Sequence, residues 1–191
     1  PRPDSETLIE AVLRSYTNKN EPLKILDLGT GTGCLILTLL HEYKQATGLA
    51  VDISEKALEV ARDNANALNL QDRVTFFQTS WTKDLMGTFD LIVSNPPYIP
   101  PSHAPTLEPE LAFDPDQALY SDNQDGLSAY GILAQNLAKH LTPNGKLFLE
   151  FGQGQEDKVQ QLFEAQGFQH LSSYEDLSKI IRTSLFTIKT T

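Results

Sequence analysis

Lys24-Ile25-Leu26-Asp27-Leu28-Gly29-Thr30-Gly31-Thr32-Gly33 decides the fold. A short apolar run meets a turn with glycine at every second position. Lys24 to Leu28 is predicted as a strand, and Cys34 to about Tyr43 as the helix leaving the turn. Strand, glycine turn and helix together form the opening unit of an open α/β sheet, where ligands sit beyond the carboxyl ends of the strands. The segments downstream repeat the alternation. Gly48 to Ile53 reads as a second strand. Ser54 caps a helix with Ala57, Leu58, Ala61, Ala65 and Leu68 on its inner face. Val74 to Gln78 and Phe89 to Ser94 are a third and fourth strand. A long connection from Ile99 to about Gln124 carries Pro100, Pro101, Pro105, Pro109 and Pro115; loops of that length in compact domains are usually functional or disordered. Gly126 to Leu141 is helical. Pro143-Asn144-Gly145 turns into a fifth strand, Lys146 to Phe151, and Gln155 to Ala165 forms another helix. Gln169 to Tyr174 and Ser184 to Lys189 are two final strands. Strands alternating with helices predict a mainly parallel sheet covered on both faces. Upstream, Leu8, Ile9, Val12, Leu13 and Tyr16 lie on one face of a leading helix with Asp4 or Ser5 as its N-cap.

Composition narrows the function. The 191 residues suit one domain with a sizeable core, and 40% hydrophobic content is ordinary for a soluble protein. The longest apolar run, Cys34 to Leu40, is broken by Thr38 and is too short to span a bilayer. No membrane association is expected, and no signal peptide is evident. Cys34 is the single cysteine, which fits a reducing cytoplasm. His41, His103, His140 and His170 lack metal-ligand spacing, so no metal is expected. A net charge of −10 opposes direct nucleic-acid binding, which needs basic surface to replace counterions. The chain opens at Pro1-Arg2-Pro3, which suggests a piece of a longer protein.

Gly29, Gly31 and Gly33 allow the backbone to turn sharply and approach a ligand closely. Asp52 ends the second strand about 20 residues further on, where an acidic side chain accepts the ribose hydroxyls of an adenosine cofactor. Asp52 can equally cap the helix starting near Ser54. Asp27 is placed to contact a cofactor ammonium or to brace the loop through its N–H groups. Trp81, the only tryptophan, follows the third strand, where its ring can pack on adenine or serve as a half-buried packing residue. The Ser80 hydroxyl can bond at the adenine edge.

Asn95-Pro96-Pro97-Tyr98 ends the fourth strand. Two prolines cannot donate to a sheet ladder, so a stiff turn forms at the carboxyl edge, carrying one amide and one aromatic ring. The bland reading is a turn started by Asn with a packing Tyr. The motif also resembles the substrate-nitrogen site of methyltransferases that use S-adenosylmethionine (SAM) on planar nitrogens. On that reading the Asn95 side-chain oxygen and the Pro96 carbonyl accept the two N–H groups of an amide. Tyr98 then stacks on its plane.

The chain as a whole resembles the catalytic domain of the release-factor glutamine N5-methyltransferases, the PrmC/HemK family. Pro1-Arg2-Pro3-Asp4-Ser5-Glu6 is similar to the family's P-R-P-D-T-E linker, Ile25 to Gly33 to its SAM loop, and Asn95 to Tyr98 to its glutamine-binding motif. Phe113-Asp114-Pro115 with Ala118-Leu119 resembles its F-E-P-x-x-A-L stretch. The resemblance implies a Rossmann-like methyltransferase fold: a seven-stranded, mostly parallel sheet with one antiparallel strand and helices on both faces. It implies a linker and leading helix over 1–22, a catalytic domain over 23–191, and a helical docking domain absent from this chain. It implies cofactor contacts from Gly29, Thr30, Gly31, Thr32, Gly33, Asp52, Trp81 and Asn95. Asn95, Pro96 and Tyr98 are the implied catalytic residues, and with Pro97 they bind substrate. SAM is the implied cofactor and S-adenosylhomocysteine the product. The substrate is the Gln of the Gly-Gly-Gln motif of peptide-chain release factors, modified by a monomer. A relative that methylates a ribosomal protein, or an adenine-N6 enzyme, are the alternatives. Three departures stand out: Asp114 where Glu is usual, Ser80 where Asp is frequent, and no glycine near Leu177-Ser178-Lys179.

Overall fold

The structure, a computed structural model, describes residues 3–98 and 126–189. The Ile99–Gln124 connection, the Phe113-Asp114-Pro115 stretch and the Pro1-Arg2 opening lie outside the described residues. The elements in chain order are α1 (Pro3–Ser15), β1 (Lys24–Leu28), α2 (Cys34–Glu42), β2 (Thr47–Asp52), α3 (Glu55–Ala67), β3 (Val74–Gln78) and β4 (Phe89–Ser94). They continue with α4 (Ser128–Leu137), β5 (Leu141–Glu150), α5 (Glu156–Glu164), β6 (Phe168–Glu175) and β7 (Ile181–Ile188). The sheet has seven strands in the order β3-β2-β1-β4-β5-β7-β6. β7 alone runs antiparallel to its neighbours.

Strand sequences explain the layering. Successive side chains point to opposite faces, and both faces are covered at the centre of the sheet, so β1, β4 and the second half of β5 are apolar almost throughout, whereas the edge strands β3 and β6 carry exposed positions. Ile25, Ala50, Leu91, Val93 and Phe148 face α1 and α2, packing on Leu8, Val12, Ile36 and Leu40. Leu26, Leu28, Val51, Ile92, Leu147 and Leu149 face α4 and α5, packing on Tyr130, Leu133, Val159 and Phe163. Each such Val, Leu, Ile or Phe side chain, fully buried, contributes about 1.5–3 kcal/mol. α1 places Leu8, Ala11 and Val12 in the first of these layers, with Tyr16 just beyond its end, so the leading helix is packed into the same core as the sheet.

Several boundaries differ from the sequence reading. α1 starts at Pro3, the first-turn position that tolerates a missing N–H, which puts Asp4 and Ser5 inside the helix rather than at its cap. Ser54 does cap α3, its hydroxyl accepting from the Ala57 N–H at 3.3 Å. Leu68, expected on the inner face, is the C-cap residue and 52% exposed. α4 begins only at Ser128 because Gly126 sits at φ 72, outside helical space. It tightens into a 3₁₀ turn over Ala138–His140, pinned by His140 Nδ1 against the Gly87 carbonyl. Pro143-Asn144-Gly145 is not a turn ahead of β5 but a bulge within it: pairing with β4 passes from Phe89↔Leu141 to Leu91↔Lys146. β7 starts at Ile181, earlier than expected, because β6 pairs with it to that point.

Candidate functional site

The registers assemble one edge. Leu28 lies beside Val51 in β2 and beside Ser94 in β4, and Ser94 lies beside Leu149 in β5. The next residue along each strand therefore brings Asp52, Gly29, Asn95 and Glu150 side by side at the carboxyl edge of the sheet. Ser94 locks the central pair, its hydroxyl donating to the Leu28 carbonyl at 2.7 Å. The expected glycine loop and the expected amide motif thus start from adjacent strand ends.

The loop after β1 is held from three sides. The Gly29 and Thr30 N–H groups donate to the Val51 carbonyl at 2.8 and 2.9 Å. Gly31 donates to Asp52 Oδ2 at 2.8 Å, and the Ser54 N–H donates to Asp52 Oδ1 at 2.9 Å. Asp52 thus supports the start of α3, as the capping reading expects, and also steadies the glycine loop, while remaining only half-buried, so that its carboxylate still reaches solvent. Each carboxylate oxygen keeps capacity for a second donor. Gly31, at φ 55, has nothing within 4 Å of where a Cβ would stand, so its backbone is open to a ligand. Gly33, at φ 82, is close-packed: a Cβ would sit 3.2 Å from Ala61 Cβ. Its carbonyl starts α2 by accepting from Leu37.

Asp27 resolves in favour of bracing. It is fully buried, and its Oδ2 accepts from the Thr30 hydroxyl at 2.6 Å and from the Ile36 N–H at 3.3 Å. Its Oδ1 is buried without a hydrogen-bond partner. Burial pushes the carboxyl up to about 7 against the two hydrogen bonds, and the neighbouring Asp52 carboxylate adds to the rise. Thr30 turns its side chain down to Asp27 and is buried, whereas Thr32 is exposed.

Trp81 takes the strained φ of 50, uncommon for a bulky residue, in the turn where the Lys83 N–H donates to the Ser80 carbonyl. Its ring lies against Gly29, where a Cβ would come within 3.5 Å of Trp81 Cζ3, and it also touches the core layer under α4 and α5. The half-buried packing role is real, and the ring borders the glycine loop as well. Ser80 is exposed. Pro96 is buried; Asn95, Pro97 and Tyr98 are half-buried. The Tyr98 ring packs against Gly152, where a Cβ would stand 2.8 Å from Tyr98 Cδ2.

The sequence reading missed the partners of Tyr98: Gly126, Gly152 and Gln155. Gly152-Gln153-Gly154-Gln155, just beyond the fifth strand, was the available signal. It also missed Ile53, a large apolar side chain 60% exposed beside Asp52. Among the described residues no three His, Cys, Asp or Glu side chains converge as metal ligands, and no helix is long and apolar enough to cross a membrane. A hollow of about 280 Å³ lies at the opposite, amino edge, lined by Lys24, Thr47 and Val74 at the starts of β1, β2 and β3, and no residue of the candidate site lines it.

Comparison with known proteins bears on the family and the fold. The family model described as "Methyltransferase small domain" matches residues 5–167. The chain is 48% identical over 179 residues to a release factor glutamine methyltransferase of Rhodospirillum rubrum, covering 93% of this chain and 54% of the relative. It spans a little over half the length of the curated relatives first matched. Among solved structures, a ribosomal protein L11 methylase from Lactobacillus delbrueckii subsp. bulgaricus superposes with TM-score 0.73 at 23% identity, over 100% of this chain and 81% of that one. A release factor-specific protein-(glutamine-N5) methyltransferase from Alicyclobacillus acidocaldarius superposes with TM-score 0.60 at 26% identity, over 100% of this chain and 94% of that one.

Proposed function

The chain belongs to the methyltransferase small-domain family, and from that premise we propose that it transfers a methyl group from SAM to the side-chain nitrogen of a glutamine in a peptide-chain release factor, at the Gly-Gly-Gln motif. The observation that carries the reading is the register Leu28↔Ser94, which sets Asn95-Pro96-Pro97-Tyr98 directly beside the Gly29–Gly33 loop. The residues suit the cofactor. Gly31 leaves open backbone, Asp52 offers a half-exposed carboxylate to the ribose, and Trp81 borders the loop. The half-exposed Asp52 carboxylate suits a cationic ligand. SAM, when bound, supplies a methyl already activated on a sulfonium.

What remains for the chain is positioning. A glutamine amide nitrogen is a poor nucleophile because its lone pair is delocalised into the carbonyl. Asn95 and the Pro96 carbonyl, as neutral acceptors, fix the two amide N–H groups and turn the nitrogen's π face toward the methyl. The stiff Pro96-Pro97 backbone keeps those acceptors in place at little entropic cost. Tyr98, braced on Gly152, covers the amide plane and excludes water. The proton leaves the nitrogen after transfer, so the site requires no strong base. Release factors as partners, and the cytoplasm as the place of action, follow from the same proposal.

The test is to incubate the chain with methyl-labelled SAM and, in parallel, a release factor, a ribosomal protein and DNA. The reading expects label on the release factor. Label confined to the ribosomal protein or to DNA overturns the assignment of substrate.

A further inference from the structure

Gln155 occupies the cap position of α5, in the turn that follows β5, and its amide reaches two separate elements. Nε2 donates to the Tyr98 carbonyl at 3.2 Å. Oε1 accepts from the Gly152 N–H at 2.9 Å. The backbone N–H of Gln155 donates to the Gly152 carbonyl at 3.1 Å, so the turn that carries the side chain is itself closed. Two glycines crowd the same junction. A Cβ on Gly126 would collide with the Tyr98 carbonyl and with Gln155 Nε2, and a Cβ on Gly152 would stand 3.1 Å from Gln155 Oε1.

We propose that Gln155 is a positioning residue for the methyl-transfer reaction: its amide clamps the end of the Asn95–Tyr98 motif to the Gly152 turn and so sets the Tyr98 ring. The proposal rests on reading Asn95–Tyr98 as the acceptor site. Regular pairing of β4 ends at Ser94, and the following prolines cannot extend it, so the sheet ladder does not fix the far end of the motif. A primary amide is the side chain that carries a donor and an acceptor on one planar head, as this junction requires. Glutamate has the same shape but offers only acceptors to the Tyr98 carbonyl. Methionine keeps much of the bulk with neither function. Displacing a positioning group by about 1 Å can cost about 100-fold in rate.

The experiment compares wild type with Gln155→Glu and Gln155→Met. It measures SAM affinity by calorimetry, thermal unfolding, and kcat and KM on a Gly-Gly-Gln peptide at saturating SAM. Both variants are expected to keep SAM affinity within about 3-fold and to lower kcat about 10- to 100-fold, with KM changing far less. Gly126→Ala, which pushes on the same carbonyl from the other side, is expected to give the same split. Wild-type kcat retained within about 2-fold in both Gln155 variants overturns the proposal. So does a parallel loss of SAM affinity and thermal stability, which makes the clamp merely structural. A wild-type chain that methylates no glutamine would instead refute the functional reading on which the proposal stands.

Discussion

Replacing Asp52 by Ala should weaken SAM binding far more than it weakens the fold. The carboxylate holds the Gly31 N–H at 2.8 Å and the Ser54 N–H at 2.9 Å. Both bonds are charge-assisted, but Asp52 is half-buried, and water replaces it on the freed groups. The expected cost to the fold is therefore about 1–2 kcal/mol, a fall in Tm of about 2–8 °C for a chain of this size. The ribose hydroxyls lose a charged acceptor worth about 1.5–3 kcal/mol, and each ~1.4 kcal/mol is tenfold. Affinity should drop about 10- to 100-fold, and a loosened glycine loop adds in the same direction. Titration calorimetry with SAM measures this directly. Ser54→Ala is the control: it removes the cap on Ala57, leaves the Asp52 carboxylate and should lower Tm without moving Kd more than about 2-fold. Unchanged affinity in Asp52→Ala would remove the residue from the site. An equal loss in Ser54→Ala would assign the effect to the frame of α3 rather than to the carboxylate.

Asp27→Asn tests the buried carboxyl. With its pKa raised to about 7, the folded chain holds a proton there that the unfolded chain releases near the ordinary Asp value, so stability falls as pH rises between about 4 and 7 and is level above. The variant lacks that loss. Its stability relative to wild type should climb by up to about 1.4 kcal/mol per pH unit across the window, read by denaturant titration at several pH values, and a flat difference would contradict the assignment. Lys179→Gly should stabilise the chain by about 0.5–1 kcal/mol, because Lys179 sits at φ 66 in the β6–β7 turn. The Lys179–Glu175 ion pair lost with it is exposed and worth little. An unchanged or lower midpoint would show that the turn, held by Asp176 on the Ser178 and Ile180 N–H groups, depends on the lysine itself.

β1 and β4 were legible to the residue because strands buried on both faces are bounded by abrupt changes in polarity, and β3, an edge strand with exposed positions, because a short β-branched and aromatic run is set off by polar neighbours. Ends set by partners were not. β7 runs back to Ile181 because β6 is there to pair, and the bulge at Pro143 exists only against β4. In the site, the glycine spacing and Asp52 were legible because the strand–turn–helix unit fixes where they fall. The choice between two roles for Asp27 was not, since it depends on the carboxylate turning inward to Thr30 and Ile36. Gln155 lies 57 residues from Tyr98, and only the fold brings its amide to that carbonyl. Lys179 takes a left-handed backbone at φ 66, a conformation the sequence around Leu177-Ser178-Lys179 does not announce because no glycine stands there.

The central claim is that Asn95 holds the accepting amide beside the glycine loop. Single-turnover methylation of a Gly-Gly-Gln peptide at saturating SAM, with wild type and Asn95→Ala, tests it most directly. The account predicts SAM affinity within a few-fold of wild type and a methyl-transfer rate lower by about 100-fold or more. A variant that transfers methyl at a near-normal rate would contradict it.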